Sequence, residues 1–60
     1  MNRKDWIINI ENLASRVAAS LGSGVAVSVF ARYGATGIED LNPVYYSEVF
    51  SDLMLIDADE

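Results

Sequence analysis

"GVAVSVFARYG", residues 24–34, decides the fold, because it reads as a strand and as a helix with equal ease. As a strand it sets Val25, Val27, Val29, Ala31 and Tyr33 on one face against Ala26, Ser28, Phe30 and Arg32 on the other, and its β-branched residues favour that reading. As a helix it gathers Val25, Ala26, Val29, Phe30 and Tyr33 on one side, with Gly34 placed to end the last turn. A strand needs a second strand. "LMLID" (53–57) is the one other candidate, and it fits better into a helix. The segment therefore reads as a helix, with an α+β fold containing residues 25–33 as a strand as the alternative.

The stretch before it is clearer. At about 100° per residue, Trp6, Ile7, Ile10, Leu13, Ala14, Val17 and Leu21 share one side of a helix, and Asn9, Glu11, Asn12, Ser15 and Arg16 the other. Asp5 or Asn2 can cap its start, and Gly22 or Gly24 can end it. Ile8 alone points to the polar side.

After the middle segment, "GATGIEDL" (34–41) reads as a loop that turns Ile38 and Leu41 inward. Asn42 followed by Pro43 makes a strong helix start, since Asn caps and Pro fits the first helical position. Helical spacing then collects Tyr45, Tyr46, Val49, Phe50, Leu53, Met54 and Ile56 on a broad apolar side. Ser47, Glu48, Ser51 and Asp52 form the polar side, with Val44 and Leu55 intruding on it. Three acids at 57–60 oppose the dipole of a helix end and predict a stop near Asp57. The predicted architecture is one all-α domain over residues 1–60, with helices at about 5–21, 25–33 and 43–56.

A chain of 60 residues has a thin margin of stability, and two common supports are absent: there is no Cys for a disulfide, and no Cys or His for a structural zinc site. With 52% hydrophobic residues, apolar surface is expected to be left over, so the sequence predicts a homodimer. Basic residues before an apolar stretch give the start a superficial likeness to a signal peptide. Asp5, Asn9, Glu11, Asn12 and Arg16 interrupt that stretch too often, and no run approaches the ~20 apolar residues of a membrane span. The expected setting is soluble and cytoplasmic, without a membrane.

The net charge of −5 is unevenly divided. Residues 1–32 carry a net +2, whereas residues 33–60 carry Glu39, Asp40, Glu48, Asp52, Asp57, Asp59 and Glu60 and no basic residue. The segment "FARYGATGIEDLNPVYYSEVFSDL" (30–53) resembles a piece of small uncharacterised proteins of phages and conjugative elements, in which a helix ending in Tyr-Gly leads through "IEDL" into an acidic helix opened by Pro. The resemblance implies a helical accessory protein of a mobile element. It implies no activity and no site residue.

The residue types present narrow the chemistry. Without His or Cys, the usual general bases, thiol nucleophiles and transition-metal ligands are missing, and the serines have no imidazole to activate them. The sequence therefore points away from an enzyme and calls for no cofactor or metal. "GSG" (22–24) lacks the Lys and Ser/Thr of a phosphate-binding loop and reads as punctuation between helices. Four basic residues in a protein of pI about 4.3 do not make a nucleic-acid surface. Binding of protein is the expected function, through a candidate partner surface of Tyr45, Tyr46, Ile8, Val27 and Leu55. The alternatives are an acidic surface of Glu39, Asp40, Glu48 and Asp52 that imitates nucleic acid and inhibits a basic enzyme, and a structural subunit of a larger assembly.

Overall fold

The computed structural model describes residues 2–58 and consists of three helices: α1 (Arg3–Leu21), α2 (Ser23–Ala31) and α3 (Tyr46–Ala58). Two short 3-10 turns, Ile38–Asp40 and Pro43–Tyr45, lie between α2 and α3. No strand occurs among the described residues, and 24–34 is helix and turn. Asp59 and Glu60, two of the three acids expected to end the last helix, lie outside the described residues.

Local chemistry sets each helix boundary. The Asn2 side chain accepts the Asp5 backbone N–H at 2.9 Å, so α1 starts two residues before the expected position, and Asp5 sits in its first turn where the dipole favours an acid. Gly22 ends the helix with φ +101°, its N–H donating to the Ala18 carbonyl at 3.0 Å. The Gly22 carbonyl in turn accepts the Val25 N–H at 3.2 Å, which opens α2. One glycine is thus the whole joint between two helices.

The end of α2 forms a Schellman closure. The Ala35 N–H reaches the Phe30 carbonyl at 3.1 Å, the Gly34 N–H reaches Ala31 at 3.1 Å, and Gly34 takes φ +75°. Phe30 and Ala35 are both buried, supplying the apolar contact that accompanies this motif.

At the next boundary, the Asn42 side chain accepts the Val44 N–H at 3.1 Å and Pro43 takes the first position. The first turn winds as 3-10 before α3 proper begins at Tyr46, three residues after the expected helix start.

Trp6 meets Phe50 edge to face at 5.7 Å, and further along both helices Arg16 meets Asp57 at 2.9 Å. Contacts advance together along the two helices, so α1 and α3 run parallel. α2 descends antiparallel from the Gly22 joint. With 9 residues against 19 in α1, it covers only about half of that helix, at a rise of about 1.5 Å per residue. The loop covers the remainder by inserting Ala35 and Leu41 fully and Ile38 partly, as expected for Ile38 and Leu41.

The core draws on all three α-helices: Ile10, Leu13 and Val17 from α1, Ala26, Val29 and Phe30 from α2, and Tyr46, Val49 and Leu53 from α3. Trp6 and Phe50 are half-buried at its edge. Two residues expected on apolar sides are exposed instead. Leu21 is the last residue of α1, at the Gly22 joint, and Met54 lies on the flank of α3 beside α1.

The accessible surface is 3786 Å², close to the roughly 3,900 Å² of a folded monomer of 6.6 kDa. The chain therefore closes on itself without excess area. What distinguishes its surface is where the exposed apolar residues stand.

Candidate functional site

The side of α3 turned away from the core carries one exposed charge, Glu48, with an uncharged stripe running beside it. Ser47, Ser51, Met54, Leu55 and Ala58 fall within about 100° of one another in projection at 100° per residue, and all five are exposed. Val44, in the preceding turn, extends the same line. Leu55 is 67% exposed, Val44 68% and Met54 51%. Ser51, Met54, Leu55 and Ala58 border one shallow apolar depression. Met54 and Ala58 also form one wall of a groove between α1 and α3, floored by Leu13 and Phe50. The stripe and the groove are therefore neighbours on one face.

Electrostatics differ along the two edges of the stripe. On the α1 side the Arg16–Asp57 pair closes the groove. On the α2 side the Asp52 carboxylate accepts the Tyr33 hydroxyl at 2.5 Å and lies 3.8 Å from the Arg32 guanidinium. The Tyr33 ring rests against Tyr45, centroids 5.1 Å apart. The hydrogen bond to Asp52 is the main cause holding the Tyr33 hydroxyl above its usual pKa, with desolvation and the charges of Asp52 and Glu48 acting in the same direction. Glu48, one turn before Asp52, is exposed.

Asp40 has a separate role. Its carboxylate accepts the backbone N–H groups of Thr36 and Gly37 and the Thr36 hydroxyl, all at 3.0–3.1 Å. These donors, the Thr36 N–H first, hold the Asp40 carboxyl below the ordinary Asp range. The residue fastens the loop that carries Ile38 and Leu41 into the core.

The residues proposed from sequence fall in different places. Tyr46 is 3% exposed and belongs to the chain's own core, which removes it from any partner surface of this fold. The correction has a simple cause: adjacent helical positions differ by about 100°, and with Tyr45 packed on Tyr33 at the edge, Tyr46 turns into the core. Ile8 projects from α1, Val27 from α2 and Leu55 from α3, each about half exposed or more, so they share no helix face.

Of the four acids proposed as one surface, Asp40 and Asp52 are engaged within the chain, whereas Glu39 and Glu48 are exposed. Among the described residues no three acids, histidines or cysteines come together as metal ligands. No described helix is long and apolar enough to cross a membrane.

Ser51, Met54 and Ala58 were not among the site residues expected from sequence. Their signal is a second uncharged line at 47, 51, 54, 55 and 58, running from the flank of the core line of 46, 49, 50 and 53 to the outer side. Comparison with known protein families, with characterised proteins and with solved structures finds no match.

Proposed function

We propose that the chain is a small non-enzymatic accessory protein that acts by stoichiometric binding to another polypeptide through the outer face of α3. The observation that carries this reading is the uncharged stripe of Ser51, Met54, Leu55 and Ala58, exposed beside an apolar groove although the three-helix core is already complete without it. Single exposed apolar residues are ordinary; a line of them at 3–4 residue spacing on a helix is the pattern by which helices engage grooves and other helices. The resemblance of residues 30–53 to small proteins of phages and conjugative elements favours an accessory role.

An inhibitor that imitates nucleic acid is less favoured. Asp40 and Asp52 already accept hydrogen bonds inside the chain, and Arg32 and Arg16 stand beside Asp52 and Asp57, which thins the acidic field such a mimic needs.

The test is affinity co-purification with tagged wild type and with a Met54→Glu/Leu55→Glu variant, washed at low and then high salt. A polypeptide retained by the wild type through high salt and lost by the variant, with helicity and melting temperature unchanged, supports the reading. Retention of the same polypeptides by both proteins overturns it.

A further inference from the structure

We infer that the outer face of α3 is built for a helix of another protein, one with an apolar stripe bordered by Lys or Arg, and not for a second copy of this chain. The inference rests on the proposal that this face binds a polypeptide, and it identifies the chemistry of the occupant.

Charge selects that occupant. α3 carries Glu48, Asp52 and Asp57 and no basic residue, so no register of one α3 on another, parallel or antiparallel, offers a cation to these carboxylates. Two chains of net charge −5 would also repel one another. The basic residues nearest the face stand beside acids of this chain, Arg16 closely against Asp57 and Arg32 more loosely against Asp52.

A copy could offer Arg3 and Lys4 only by laying the start of its α1 on α3, and it would bring its own excess of acids with them. Once Arg32 and Arg16 have offset their partners, Glu48 is the uncompensated charge at the edge of the stripe. It lies one turn before Asp52 and about 20° from Leu55 in projection. A cation on the incoming helix is therefore drawn to that edge, and its apolar residues pack over Met54 and Leu55. The small side chains of Ser51 and Ala58 let the two backbones approach closely at either end of that contact.

The test uses the full chain and three fluorescein-labelled synthetic peptides, each about five helical turns long. The first has Leu at i, i+3, i+4 and i+7 spacing with Lys along both edges. The second keeps the Leu stripe and replaces Lys with Glu, and the third keeps the composition of the first with its Leu positions scrambled. Fluorescence anisotropy is expected to give at least about tenfold tighter binding for the first than for either other peptide. Leu55→Glu should remove that binding, and Glu48→Gln should weaken it by about two- to fivefold, the weight of one exposed charge.

Equal binding of the first and third peptides overturns the inference, because attraction would then need no apolar stripe. Equal binding of the first and second, or of none, also overturns it. Sedimentation equilibrium separates the two ways of failing: a dimer dissolved by Leu55→Glu makes the occupant a second copy and leaves the interaction reading standing, whereas a monomer that binds no peptide removes both.

Discussion

The Tyr33 hydroxyl donates to the Asp52 carboxylate across 19 residues of sequence, tying the turn after α2 to the middle of α3. Arg32 at 3.8 Å is a looser companion on the same carboxylate. Removing the hydroxyl with Tyr33→Phe should lower the melting temperature by a few degrees.

The same bond carries a pH signature. The folded state raises the pKa of Tyr33 above 10.0, so its contribution to stability is whole below that pH and is lost as pH rises through the folded value. Thermal melts between pH 8 and 11 should show the wild type losing stability above about pH 10, and Tyr33→Phe losing measurably less. Parallel curves for the two proteins would contradict the assignment.

Asp40 gives the opposite dependence. Its pKa is lowered from 3.8, so the stability it confers is present above that value and is lost as pH falls through the lower, folded one. Melts from pH 6 to pH 2 should fall away below about pH 4 in the wild type and more gently in Asp40→Asn, which is less stable at neutral pH because an amide is the weaker acceptor for the Thr36 and Gly37 N–H groups.

The same substitution two residues apart should have opposite signs. Gly22→Ala places a side chain at φ +101°, where nothing lies within 4 Å of the added carbon, so the cost is backbone strain of about 1–3 kcal/mol. Gly24→Ala lies inside α2 with equally open surroundings and should stabilise by roughly 0.5–1 kcal/mol. Urea titration measures both.

Leu53 and Leu55 offer a second contrast. Leu53 is 0% exposed, and Leu53→Ala should cost about 2–5 kcal/mol, a large part of the stability of so small a domain. Leu55 is 67% exposed, and Leu55→Ala should stay within about 0.5 kcal/mol. A large loss at Leu55 would mean that the stripe supports the fold instead of facing outward.

Three helices and their faces were legible because Trp6, Ile10, Leu13 and Val17 repeat at helical spacing, and because Gly22, Gly34, Asn42 and Pro43 punctuate them. For residues 25–33 intrinsic preference pointed both ways, and the surroundings decide: α1 and α3 offer helix faces to pack on and no edge to pair with. The acidic half was harder to read, since spacing cannot tell a solvated carboxylate from one engaged by a distant group. Asp40 is bound by backbone N–H groups up to four residues away, and Asp52 by a tyrosine on another element. Adjacent Tyr45 and Tyr46 illustrate the same limit, because the phase of α3 fixes which of them is inside and the 3-10 first turn shifts that phase.

Parallel packing of α1 with α3 has a consequence for how the molecule is made. Trp6 and Phe50 stand 44 positions apart, so the longest seam of the core joins segments that a ribosome releases far apart in time. Until α3 is in place, Ile10, Leu13 and Val17 have only the short α2 to cover them, so an apolar strip of α1 stays open to water. An all-helical protein of this size is usually a fast folder through local contacts; here the rate-determining event should be the late return of α3 to α1.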